Sequence, residues 1–185
     1  MPPKIKITKE EIINCAVELV RKGVPVNART LAGGLNCSTQ PIFSNFASMD
    51  ELHLSVLDSA MEIFKDYMKK EVEKGEYPIY KANGMAYIRF AKEEKELFKL
   101  LYMRESANNF MPNEVEINDK MEEIVKYNTG LSKEEVKLFH LEVWAFVHGI
   151  AVMFATGYLD FEWDLVSRIL TDSYQGLRKQ FGMER

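Results

Sequence analysis

Cysteine is nearly absent. Two residues in 185, Cys15 and Cys37, are too few for a disulfide framework. They fall in different helical patterns and match no metal-ligand spacing, so both are read as reduced thiols, Cys15 within a core. Long apolar runs are lacking as well. The longest, Ala145 to Gly157 (AFVHGIAVMFATG), is too short to cross a bilayer and contains His148, so it reads as a buried helix. The opening residues MPPKIKITKEE carry lysines without the apolar stretch of a secretory signal, and a cytoplasmic protein is expected. No convincing strand, internal repeat or low-complexity tract is present. Gly33-Gly34 sits in a helical pattern with no strand before it, so it is no phosphate loop. His140 and His148 have no nearby Cys or Asp and make no metal site. Without a nucleophile and base pair, a metal set or a cofactor motif, an enzyme is not expected, and neither a cofactor nor a metal is implied.

What is there is an ordinary folded composition, with 46% hydrophobic and 28% charged residues, long enough for one or two small domains. The net charge of −4 argues against nucleic acid as a partner when taken whole. Its distribution argues otherwise: residues 1–46 hold six basic residues (Lys4, Lys6, Lys9, Arg21, Lys22, Arg29) against three acids (Glu10, Glu11, Glu18), or +3, which leaves −7 for the rest.

Helical signals cover nearly the whole chain. Thr8-Lys-Glu-Glu11 is a capping box, and apolar residues recur behind it at helical spacing to Gly23, predicting a helix over 9–22. Asn27 caps a second, short helix through Leu35, and Asn36 takes the turn, being one of the few residues that tolerates a left-handed conformation. Ser38 is the expected cap of a third helix with Pro41 in its first turn, where a missing N–H costs little. On that helix Ile42, Phe43 and Phe46 are expected to pack inward while Thr39, Gln40, Ser44 and Asn45 face out. Ser48-Met-Asp-Glu51 opens a long helix lasting to Gly75, and Pro78 restarts the pattern for helices over 79–92 and 94–104. Residues 106–113 are loop-like, a helix to Asn128 follows, Ser132-Lys-Glu-Glu135 caps another to Thr156, and Asp160 caps the last, which ends near Gly182. The fold class is therefore all-α, with nine helices.

Two short helices joined by a tight turn, one helix before and a long one after, describe a helix-turn-helix domain over residues 1–47. In that motif the second helix of the pair enters the major groove and its first residues reach base edges. Gln40 suits bidentate bonding to adenine, Ser38, Thr39 and Ser44 bond either way, and Pro41 packs on a thymine methyl. Phe43 and Asn45 complete the reading helix, and Lys4, Lys6, Lys9 and Arg29 supply phosphate contacts. Each has a plainer reading: Ser38 and Thr39 as caps alone, the lysines as a solubilising tail.

The run RTLAGGLNCSTQPIFSNFASMDELHLSVL resembles the N-terminal domain of TetR-family transcriptional regulators: Leu31-Ala32, Asn36, Ile42-Phe43, Phe46 and Glu51-Leu52 fill that family's frame over residues 8–58. Trp144, His148 and Gly149, in EVWAFVHGIAVMFATG, are similar to the Trp-His-Gly signature of one class of TetR-family C-terminal domains. The resemblance implies a nine-helix TetR-like architecture, with residues 48–185 a ligand-binding and dimerising domain. It further implies a homodimer joined by the last two helices on the double-stranded DNA of a pseudo-palindromic operator, and repression released by a small apolar or aromatic effector. Tyr87, Phe90, Phe98, Tyr102, Phe139, Trp144 and His148 are the candidate pocket residues. The bland reading of each is a core side chain, His148 included.

Three positions depart from the family's pattern. Asn36 stands where the turn often has Gly, Phe43 where a Tyr hydroxyl commonly bonds a phosphate, and Met49 where Lys usually precedes the long helix. Fewer phosphate contacts mean weaker, less salt-dependent binding. They keep open an alternative: a helical ligand- or protein-binding module of the same fold that has lost specific DNA binding.

Overall fold

A computed structural model describes residues 7–103 and 112–183, with side chains from 115 in the second stretch. Its helices are α1 (Lys9–Arg21), α2 (Ala28–Gly34), α3 (Gln40–Asn45), α4 (Met49–Glu73), α5 (Ile79–Glu93), α6 (Lys95–Tyr102), α7 (Pro112–Thr129), α8 (Lys133–Thr156) and α9 (Trp163–Gln180). No strand occurs among the described residues. Lys4, Lys6 and residues 106–111 of the loop expected at 106–113 lie outside them, and Pro112 and Asn113, expected in that loop, begin α7.

The chain divides into two compact units, Met1–Ile63 with Glu94–Arg104, and Phe64–Glu93 with Glu105–Arg185. The first unit extends past residue 47, where the sequence placed the boundary. The start of α4 belongs to it because Lys9 on α1 pairs with Glu51 (2.8 Å) and His53 Nε2 bonds the Val26 carbonyl (3.1 Å). Helix α6 belongs to it because Arg21, at the end of α1, grips Glu94 through two nitrogens (2.7 and 2.9 Å), which raises the guanidinium pKa. Ile12, Leu31, Ile42, Leu52, Leu97 and Phe98 are fully buried in this unit.

Helix α1 begins with the expected capping box, in which Thr8 and Glu11 each accept the other's backbone N–H. A second box, Asn27 with Thr30, opens α2. Asn36 closes α2 at φ 53°. Around it Asn36 N–H bonds the Gly33 carbonyl (3.3 Å) and Cys37 N–H the Ala32 carbonyl (3.0 Å), the two bonds of a Schellman closure.

Two expected caps are not formed. Thr39, not Ser38, occupies the N-cap of α3, and its αR backbone leaves the side chain without a cap bond. Glu162, not Asp160, precedes α9, because the Asp160 carboxylate is taken by Lys92 on α5.

In the second unit α5 is the central helix, with Ala82, Met85, Ala86, Ile88 and Phe90 buried. Tyr80 meets His140 and Tyr87 meets His148, about two turns farther along both helices, so α5 and α8 run in the same direction. Helix α9 returns antiparallel, since Lys81 reaches Thr171 while Arg89 lies over Trp163. Gly84 marks the crossing: a β-carbon there would stand 3.6 Å from Val147 and 3.7 Å from Leu170.

Helix α8 contains the apolar run read as a buried helix, and within that run Val147, Ile150, Ala151, Phe154 and Ala155 are buried while Phe146 is exposed. The helix is 24 residues long and, by length and composition, apolar enough to cross a membrane. Only 33% of its most apolar window is buried within the chain, and Leu138, Leu141 and Phe146 are exposed.

Candidate nucleic-acid interface and effector site

Helix α3 has six residues, too few to be stable by propensity alone. It is held by Ile42 and Phe46, which are 0% and 2% exposed and anchor one face in the core of the first unit. Against that face stand Ser38, Thr39, Gln40 and Ser44, all exposed. The result is a short row of hydrogen-bonding groups on a buried footing. Pro41, half-buried in the first turn, fixes the backbone where an N–H has no intrahelical partner.

Phe43 corrects the expected inward packing. Its ring is 55% exposed, because the anchoring positions Ile42 and Phe46 lie four apart and residue 43 falls off their stripe.

Three expected DNA contacts are engaged within the protein, the first being Ser44, whose hydroxyl donates to the Gln40 carbonyl (2.9 Å). The Lys9 ammonium pairs with Glu51 and lies 4.7 Å from the centre of the Phe46 ring. Asn45 is part-buried, and its amide donates to the Pro41 carbonyl (2.8 Å) and the Ile7 carbonyl (3.3 Å), tying α3 to the residues before α1. Arg29 remains exposed at the start of α2.

The pocket candidates are divided between the two units. Phe98 and Tyr102 lie on α6 in the first unit, with rings 5.2 Å apart. Phe139 is fully buried in a separate cluster with Val125 and Val136, against Tyr174 and Phe181. What the second unit gathers is Tyr87, Trp144 and His148: the Tyr87 hydroxyl is 2.9 Å from His148 Nδ1, and the Trp144 and His148 rings stack at 4.9 Å with 16° between planes. Phe64 meets Tyr87 edge-on at 5.6 Å and Phe90 at 5.3 Å. Trp144 is 38% exposed, so this aromatic wall reaches the surface of its unit.

The arrangement recurs two turns away, where the Tyr80 hydroxyl is 2.8 Å from His140 Nδ1. Burial lowers the pKa of both histidines and raises that of Tyr80, so each pair is neutral near pH 7.

One polar group was missed from sequence. Glu71 on α4 is 2% exposed; its Oε2 accepts from Lys74 (2.6 Å) and Arg89 (3.1 Å), and its Oε1 has no hydrogen-bond partner among the described residues. Nothing in the charged run KKEVEK marks that glutamate as buried. The guanidinium of Arg89 also lies 4.2 Å from the centre of the Trp163 ring, joining α4, α5 and α9.

Comparison with known proteins agrees with this architecture. The family model for the tetracyclin repressor-like C-terminal domain matches residues 80–172, a span that includes Trp144, His148 and Gly149. No curated protein matches the chain. Among solved structures, the crystal structure of the multidrug binding protein EbrR complexed with imidazole is similar, at 16% identity and a TM-score of 0.55, over 89% of this chain and 93% of that one. The structural likeness speaks for the fold, and the family match covers half the sequence. The chain belongs to the TetR family of transcriptional regulators.

Proposed function

We propose that this TetR-family regulator is a sequence-specific repressor, released from its operator by a small apolar or aromatic effector. The observation that carries the DNA-reading part is α3: Ser38, Thr39, Gln40 and Ser44 are exposed together on a helix whose opposite face is fixed by Ile42 and Phe46. Groups held this way lose little side-chain and backbone freedom on meeting base edges in the major groove. Arg29, with Lys4 and Lys6, supplies positive charge to the backbone.

The protein acts as a homodimer through α8 and α9. Leu138, Leu141 and Phe146 on α8 and Leu165 on α9 are exposed apolar residues, which support such an interface. Two-fold symmetry places the paired α3 helices in successive major grooves, roughly 34 Å apart on a pseudo-palindromic site.

The effector binds in the second unit, and the Tyr87, Trp144 and His148 group supports an aromatic ligand contacted by stacking and one polar handle. Release is a population shift: the ligand favours a form whose reading heads are mis-spaced, and α4, which begins in one unit and ends in the other, carries the change. A coupling of about 1–3 kcal/mol weakens DNA binding 5- to 150-fold.

Gln40→Ala tests the reading role. It should cost about 1–3 kcal/mol on the operator and little on random DNA, measured by fluorescence anisotropy; equal losses on both would reject base reading by Gln40. The second reading, a binding module without operator preference, is favoured by the exposed Phe43 ring and by the engagement of Lys9 with Glu51.

A further inference from the structure

Cys15 and Cys37 look unrelated in sequence, yet both belong to the junction of α1 with the helix-turn-helix turn. Cys15 lies on the α1 turn that carries the buried Ala16 and Val17. A β-carbon on Gly34 would stand 2.7 Å from the Cys15 sulfur, so that sulfur rests on the last turn of α2. Cys37 comes back to the same turn. Its N–H closes on the Ala32 carbonyl at 3.0 Å, which returns the backbone of residue 37 to the end of α2, and Cys37 is near enough to Cys15 to act on its charge. Both cysteines are free and half-buried. Cys37 stands just before Ser38, Thr39 and Gln40, so a bond to its sulfur acts on the start of the reading helix.

We propose that Cys15 and Cys37 form a hydroperoxide-responsive dithiol whose oxidation to an intrachain disulfide displaces the start of α3 and weakens DNA binding. Hydrogen peroxide oxidises one thiol to a sulfenic acid, its O–O bond breaking and one oxygen leaving as water. The second sulfur then attacks the sulfenic sulfur, the S–S bond forms, and the hydroxyl leaves as a second water. Two electrons pass from the two sulfurs to the peroxide, and dithiothreitol reverses the change. Burial, reinforced by the Cys37 thiol and opposed by Lys22, raises the pKa of Cys15. The thiolate is the reactive form, so crosslinking should speed up as pH rises from 7 to 9. The loss of DNA affinity rests on the regulator reading, whereas the crosslink does not.

The test treats the full-length protein with hydrogen peroxide and follows free thiols, peptide masses without reductant, and anisotropy on operator DNA. Both thiols should be lost, with a peptide joining Cys15 to Cys37, an affinity lower by about fivefold or more, and recovery with dithiothreitol. Cys15→Ser and Cys37→Ser should each keep their affinity under the same treatment. A folded protein that yields no Cys15–Cys37 peptide, or only crosslinks between chains, overturns the proposal. A crosslink that leaves affinity unchanged overturns its regulatory half. Reduced protein without operator preference would instead count against the regulator reading, and the peptide mass alone then decides the thiol pair.

Discussion

Phe43, 55% exposed, stands on the same short helix as the exposed Gln40. Restoring the hydroxyl that the family commonly has there, by Phe43→Tyr, adds a donor for a DNA phosphate. Operator affinity should rise at every salt concentration with the log-log slope unchanged, because a neutral hydroxyl displaces no counterion. An unchanged affinity in the same titration would show that the ring does not face the phosphate backbone. The neighbouring Ile42 was legible as core from the sequence, whereas Phe43 was not. Both are apolar, and which of two adjacent apolar residues falls on the buried stripe depends on where a six-residue helix starts, which here is Gln40.

Helix α2 carries two adjacent glycines whose surroundings differ. Gly33 has nothing within 4 Å of its would-be β-carbon, while Gly34 has the Cys15 sulfur at 2.7 Å. Gly33→Ala should therefore stabilise the protein by about 0.5–1 kcal/mol, the usual gain of Ala over Gly in a helix. Gly34→Ala should lose that gain, because the sulfur must move, and Cys15→Ala in the same chain should restore it. Thermal unfolding of the three variants checks this; equal gains from the two glycines would mean the sulfur is not held against α2. Most elements were legible in the sequence because their ends are written in local chemistry: Thr8 with Glu11, Asn27 with Thr30, Asn36 after α2 and Ser132 with Glu135 all cap as their residue types require. The two caps that failed did so for different reasons: Thr39 took the N-cap position of α3 in place of Ser38 with an αR backbone, and Lys92 pairs with the Asp160 carboxylate. The candidate effector site was less legible, because its side chains are paired by contacts distant in sequence. Stripes of Tyr, Phe and His give no hint that Tyr87 pairs with His148 while Phe98 lies in the other unit, since those choices are made between helices far apart in sequence.

At the scale of the whole molecule, two half-buried histidines set a response to acid. His140 and His148 have folded pKa values below the 6.5 of the unfolded chain, mainly because burial penalises their charged forms. Stability is thus fully present above that value and falls as pH drops through it toward the folded values, since only the unfolded chain takes up the protons. The exposed carboxylates of Glu11, Glu51 and Glu135, lowered from 4.5 by hydrogen bonds, act in the same direction at lower pH. The melting temperature should fall between pH 7 and 5, and His140→Gln with His148→Gln should flatten that part of the curve. A wild-type curve that is already flat there would contradict neutral Tyr–His pairs. The proposed function turns on discrimination among DNA sequences. The direct measurement is fluorescence anisotropy of the purified protein on DNA from upstream of its own gene and on scrambled DNA of equal length, across a salt series. The account predicts a preference of about a thousandfold or more for the upstream DNA. Equal, weak binding to both, and to wider fragments of the genome, lost steeply with salt, would contradict a sequence-specific regulator and leave a binding module in its place.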